Sequence, residues 1–336
     1  MDSYQERIKK QYKLLSRKYC GVSDHEKKNC TNKIVRSHTI PKASLLKICD
    51  SNNQLLVTNK HPISIKNNKG KLSLKKLGIN RTSTFNGFCS YHDNKLFAPI
   101  ESKVLILDKK NIFLHIYRNT VHDLYFKRAQ QNIYDKLLSK LITIDNKHVL
   151  NAYKKGIEYG LSSLLYHKEQ LDQMLRSNRY DDIHAIIIFL EKPPDIMCSG
   201  SHIPYFDLFG KEIFKYMNET NAPIVHYSSL HLGSISYFLL SCIKKDTYYF
   251  NKYFTPLIDR FSYRQISMFI PIFLFSTSDN LAINPLWWNN LDNDKRKFLV
   301  DSIHPDFDYI YQEKYPLGQN LSDYNFSEVK KIEVIV

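Results

Sequence analysis

The spacing of apolar residues changes character near residue 104. Upstream of it the apolar runs are short and polar residues interrupt them often. SYQERIKKQYKLLSRK (3–18) places Ile8, Tyr12 and Leu15 on one side of a basic helix. KIVRSHTIP carries Ile34 and Val35 in a short strand that ends at His38. PKASLLKICDS reads as a helix with Pro41 at its first turn. HPISIKNNKGKLSLKK alternates on both sides of an Asn-Asn-Lys-Gly turn and predicts a hairpin. STFNGFC predicts a further short strand, and HDNKLFAPIE a helix closed before Pro99.

Downstream the texture is that of a larger core. VLILDKKNIFLHIYR leads into long helices. In HVLNAYKKGIEYGLSSLLYHKEQLDQMLRS, residues Leu150, Tyr153, Ile157, Leu161, Leu164, Lys168, Leu171 and Leu175 fall at helical spacing, and only Lys168 is polar. HAIIIFLEK (184–192) and APIVHYSS (222–229) predict buried strands. SISYFLLSCI (234–243) and ISMFIPIFLF (266–275) have about half the length of a membrane helix, so they read as buried strands or core helices. INPLWWNNLDNDKRKFLVDSI ends in a helix, with Trp287 and Trp288 as a core pair. The expected fold class is α+β, with a small basic module at 1–103 and a larger, helix-rich α+β domain at 104–336.

Composition adds two constraints. The chain is 43% hydrophobic, enough for a sizeable core. Its first twenty residues are charged throughout and lack a signal-peptide core, so a cytoplasmic location without disulfides is expected. The cysteines at 20, 30, 49, 89, 198 and 242 are then thiols or metal ligands. Charge is unevenly placed. Residues 1–100 carry 20 Lys and Arg against 6 Asp and Glu, whereas residues 101–336 carry 28 against 27. A basic segment beside a neutral one is the footprint expected for a nucleic acid, DNA first and RNA as the other polyanion. Arg36, Lys42, Lys75, Lys76 and Arg81, with the helix 3–18, are the candidate phosphate contacts. No Gly-rich phosphate loop and no Gly-x-Ser-x-Gly elbow is present, and His226 and His231 have no carboxylate near them at a telling spacing.

The same basic segment holds the candidate chemistry. Cys89-x-x-His92 has the spacing that lets both side chains reach one tetrahedral ion, and Cys20 and Cys30 bracket a polar loop unsuited to burying thiols. Cys20, Cys30, Cys89 and His92 are therefore expected to hold a structural zinc, with His25 able to replace either loop cysteine, while Cys49 reads as a small buried apolar residue. If zinc ties the loop to the helix that follows Cys89, His38 and Asp93 come close together. An imidazole facing a carboxylate-bound Mg²⁺ or Mn²⁺ is a hydrolytic arrangement.

SHTIP and FCSYHDNKLFAPIE together resemble the HNH (ββα-metal) nucleases, over residues 18–101. The resemblance implies a zinc-stabilised ββα-metal-like head. In it His38 is the general base, Asp93 the ligand of the catalytic Mg²⁺ or Mn²⁺, and Asn86 or Thr84 the residue that orients the imidazole. It implies a DNA endonuclease, of a kind frequent among bacterial antiviral defence effectors, with a C-terminal domain that meets a partner protein or signal ligand. The chain departs from the pattern at Ser37, where an acidic or His ligand is common, and in the long insert between His38 and Cys89. Asn94 or Glu101 could compensate for Ser37. Two other readings follow from the same residues. One is a zinc-stabilised module that binds nucleic acid without catalysis. The other places the function in residues 104–336.

Overall fold

The computed structural model describes residues 18–31, 33–59, 64, 68, 72–102, 106–137, 147–215, 221–303 and 321–336. The basic helix expected at 3–18 lies, but for its last residue, outside them. In chain order the elements are β1 (Ile34–His38), α1 (Lys42–Leu45), β2 (Gln54–Asn59), β3 (Ser73–Gly78), β4 (Thr84–Cys89), α2 (Ser90–Leu96) and α3 (Ala98–Glu101). Two long helices follow, α4 (Lys109–Leu137) and α5 (Lys147–Ser177). Then come β5 (Ile183–Leu190), β6 (Ile196–His202), β7 (Val225–Leu232), β8 (Ile235–Ile243), α6 (Thr247–Arg260) and α7 (Tyr263–Thr277). The chain closes with β9 (Leu281–Ile283), α8 (Pro285–Asn290), α9 (Asn293–Ser302) and β10 (Val329–Ile335). The fold is α+β. No helix among the described residues is long and apolar enough to cross a membrane.

An antiparallel sheet of eight strands forms the centre, in the order β10-β5-β8-β7-β6-β9-β2-β3. Strands β5 and β8 are largely apolar on both faces because both faces are covered. From β5 and β8, Ile186, Ile188, Phe238 and Leu240 pack with Phe250 and Phe254 of α6 and Phe269 and Phe273 of α7. The alternate residues Ala185, Ile187, Tyr237 and Leu239 pack with Phe113, Ile116 and Tyr117 of α4. That two-sided burial explains why IHAIIIFL and ISYFLLSCI are continuous apolar runs rather than alternating ones. ISMFIPIFLF takes the helical alternative as α7, which Ser262 and Gln265 open with a capping box. Trp287 is buried, with its Nε1 donating to the Tyr324 carbonyl, and Trp288 stacks on Phe275.

The insert between His38 and Cys89 is part of this sheet. β2 pairs with β9, and β3 pairs with β2 at the edge, so two strands from the basic segment cross the boundary expected at residue 103. The second strand of the expected hairpin agrees with β3; the first strand and the Asn-Asn-Lys-Gly turn lie, but for Ser64 and Asn68, outside the described residues. β3 pairs with β2, where Asn59 faces Ser73 and Leu55 and Val57 have core positions to fill. The remaining strands, β1 and β4, pair antiparallel as a separate two-stranded sheet, and α2 follows β4 directly.

Lys168, the polar residue in the apolar stripe of α5, is buried for a reason. Its ammonium donates to the Tyr117 hydroxyl at 3.0 Å and to the Asp172 carboxylate, to which Tyr117 also donates at 2.8 Å. Burial draws the Lys168 pKa down and Asp172 opposes that shift. Removing one partner of such a pair leaves an uncompensated charge, so Asp172→Ala is expected to cost about 3 kcal/mol. The double variant Lys168→Met, Asp172→Leu, which removes both charges and keeps the bulk, is expected to cost well under half of that. Urea denaturation of the two variants checks the ordering.

Candidate metal centre and the polar cluster beside it

Three separate stretches of chain converge at the end of the β1–β4 pair. Residues 19–21 run beside β4: Tyr19 N–H donates to the Asn86 carbonyl at 3.4 Å and Gly21 N–H to the Gly87 carbonyl at 2.8 Å. Gly21 is needed for that approach, since a Cβ there would lie 2.4 Å from Val121 Cγ1 of α4. A tight turn at Glu26–Asn29 then brings Cys30 back toward Cys20. Cys89 ends β4 and His92 lies in the first turn of α2.

The result is a set of four donors, Cys20, Cys30, Cys89 and His92, whose ligand atoms all lie within 4.8 Å of one another. His92 Nδ1 is 3.6 Å from the sulfurs of Cys20 and Cys30 and 3.2 Å from that of Cys89. Zinc–sulfur and zinc–imidazole bonds in a tetrahedral site place sulfur and nitrogen about 3.6 Å apart. Three thiols and one imidazole are also the donor types that suit zinc. The residues fit the ion. The other ring nitrogen, Nε2, is buried without a hydrogen bond, and Glu26 Oε2 approaches it at 3.9 Å. A carboxylate there is the outer partner that steadies a ligating imidazole. His25 is exposed and lies beside Glu26, outside the four.

The thiols are unequal. Burial, then the neighbouring Cys20 and Cys89, push Cys30 up to about 12, and burial also raises Cys20. Burial works against Cys89 as well, but the backbone N–H groups of His92 and Thr31 and both side chains outweigh it and bring Cys89 down to about 6. One thiolate forms readily, and the other two need a cation between them.

Next to this centre lies a second group of polar side chains. His38, the last residue of β1, is half-buried, and its Nε2 lies 3.4 Å from the Ile79 carbonyl. A carbonyl only accepts, so Nε2 carries the proton and Nδ1 keeps its lone pair. Burial lowers the His38 pKa, with the Ile79 carbonyl, Glu101 and Asp93 opposing and Arg118 adding to the effect. Asp93, in the first turn of α2, is raised by burial and lowered by Arg118, the Ser37 hydroxyl and His38. Helix α3 ends at Glu101, which accepts from Arg118 Nη2 at 2.7 Å. Arg118 comes from the middle of α4, is 1% exposed, and lies 4.1 Å over the Phe97 ring.

The expected site residues are thus sorted. His38 and Asp93 share one cluster, and Glu101 joins them. Asn86 and Thr84 do not orient the imidazole: Thr84 faces His38 across the strands but donates to the Arg81 carbonyl, and no described hydrogen bond joins Asn86 to His38. Ile79, at the end of the insert, takes that role. Asn94 is exposed. Lys75, on edge strand β3, is drawn down by burial and by Arg81, so two cations flank the Ile79 turn. Lys76 pairs with Asp50 at 3.6 Å, while Arg36 and Lys42 are exposed on β1 and α1. Arg118 was missed by sequence reasoning. Its only signal is a charge inside NIFLHIYRNTVH, where every residue is buried.

The purified chain is expected to carry one zinc, and Cys89→Ser to lose it along with most of the helical order of α2. Metal analysis beside the thermal melt of each Cys→Ser variant tests this, and a zinc-free wild type of unchanged melting temperature would contradict it.

No family model, curated protein or solved structure matches this chain.

Proposed function

We propose that the chain is a divalent-metal-dependent endonuclease of the HNH (ββα-metal) type that hydrolyses phosphodiester bonds in DNA. The observation that carries the reading is that His38 at the end of β1 and Asp93 in the first turn of α2 lie within electrostatic reach of one another. An imidazole whose Nδ1 has no hydrogen bond among the described residues ends one strand, and a half-buried carboxylate beside the Ser37 hydroxyl opens the helix. The four-donor cluster supports it by fixing that helix to the strands. Lys75 and Arg81, two cations on the Ile79 side of His38, support a polyanionic substrate.

Asp93 would hold the catalytic Mg²⁺ or Mn²⁺, with Glu101 the nearest second carboxylate. When bound, the ion supplies positive charge for the phosphate and the leaving oxygen. His38 Nδ1 takes a proton from water, whose oxygen bonds to phosphorus while the bridging oxygen departs with its electron pair and is protonated by solvent. Ile79 holds the ring so that Nδ1 is the base. A partner or signal meeting residues 104–336 has a route to the site, because Asn280 donates to Thr39, the neighbour of His38, at 2.8 Å and to the Ser199 carbonyl of β6 at 3.0 Å.

A second reading, a zinc-stabilised nucleic-acid-binding module without catalysis, is favoured by Ser37. It is fully buried and offers a hydroxyl where a metal ligand is common. Metal dependence separates the two. Plasmid nicking that requires Mg²⁺ or Mn²⁺ and is lost, by about a hundredfold or more, in His38→Ala and in Asp93→Ala supports the nuclease. Salt-sensitive binding without scission supports the module.

The lowered His38 pKa gives the pH profile a sign. The base works in its neutral form, so a lowered pKa keeps it competent below the ordinary histidine value of 6.5. Cleavage at saturating Mg²⁺ is expected to hold from neutral pH through 6.5 and to fall only beneath it. A rate that is already halved at pH 7 would contradict that environment for His38.

A further inference from the structure

Arg118 has donors left over once the described residues are counted. Among them only the Glu101 carboxylate pairs with it, at Nη2; Nε and Nη1 are buried with no partner among the described residues. Ser37 Oγ and the Asp93 carboxylate, from the same cluster, are buried beside one another and have no further partner among the described residues. Orphaned polar atoms are rare in protein interiors, and several of them in one place point to a ligand. The guanidinium is held for it: the Phe97 ring lies under it and α4 fixes its stem. Glu101, by contrast, sits at the mouth of the cluster with a side chain 42% exposed.

We propose that Arg118 is the oxyanion-binding residue of the site, taking a non-bridging oxygen of a DNA phosphodiester, and that Glu101 is its exchangeable counter-ion in the free protein. This rests on the nuclease reading for the identity of the anion. It adds a group from outside the β1–β4–α2 unit and gives Glu101 two positions. Without DNA, Glu101 neutralises Arg118 and keeps the buried charge paired. As a phosphate enters, the fork turns its free nitrogens to the incoming oxygens, a geometry that guanidinium matches and ammonium does not. Glu101 is displaced toward solvent and toward Asp93. The long insert brings Lys75 and Arg81 to the same approach, where they guide the backbone in.

The test is binding of a fluorescein-labelled duplex of about twenty base pairs, followed by anisotropy across a salt series, in buffer with no chelator and no added divalent cation so that structural zinc stays in place. Glu101→Gln removes the counter-ion and is expected to tighten binding several-fold. Arg118→Met is expected to weaken it about tenfold and to reduce the slope of log affinity against log salt by about 0.9, the value of one lost phosphate contact. Arg118→Lys keeps the slope and loses affinity, and it serves if the methionine variant does not hold its zinc and melting temperature. An unchanged slope in a folded Arg118→Met protein, or no tightening in Glu101→Gln, overturns the proposal. Either result stands apart from the nuclease reading, which is judged by Mg²⁺-dependent scission in the wild type.

Discussion

Three thiols and an imidazole meet in a space one ion wide, and the order of the catalytic candidates depends on what holds them there. Two strands and a seven-residue helix are too little to be stable alone. On one side Phe85, Phe88 and Phe97 join the core built on α4. On the other, the loop at 20–30 is polar and has only Val22 and Ser23 to bury. A zinc site in small peptides contributes about 10–16 kcal/mol of apparent folding energy, far more than that loop could gain from apolar burial. The ion would therefore set the position of α2, and with it the position of Asp93 relative to His38.

Around that clamp the charges are arranged economically. Burial alone drives His38 toward neutrality and Asp93 toward protonation. Arg118 works against the second effect and deepens the first, so one buried guanidinium favours both a neutral imidazole and an ionised carboxylate. Glu101 balances the guanidinium at the mouth. The same residues could not be placed so without α4, which belongs by packing to the large sheet. The β1–β4–α2 unit and the sheet are therefore bound together by the insert strands, by α4 and by the Asn280–Thr39 hydrogen bond.

How much of this was legible in the sequence follows the range of the interactions. The strand ending at His38, the strand ending at Cys89 and the four candidate metal donors were readable because local alternation and ligand spacing define them. The α+β class followed from long helical stretches beside continuous apolar runs. The strand Gln54–Asn59 was not read from the sequence because it pairs with β9, over two hundred residues away. Ile79 could not be seen as the partner of His38, since it contributes a carbonyl and any side chain could stand there. Arg118 was hidden in a helix whose neighbours are all core. Likewise the partner of His226 is visible only in space: its Nε2 is 2.9 Å from that of His167, whose Nδ1 is 3.7 Å from Asp246.

The central claim is that one metal ion joins residues 20, 30, 89 and 92 and thereby builds the site. A zinc K-edge X-ray absorption spectrum of the purified protein tests it most directly. Three sulfurs at about 2.3 Å and one nitrogen near 2.0 Å around the zinc are expected. A shell of oxygens and nitrogens alone, or no bound zinc in folded protein, would contradict it.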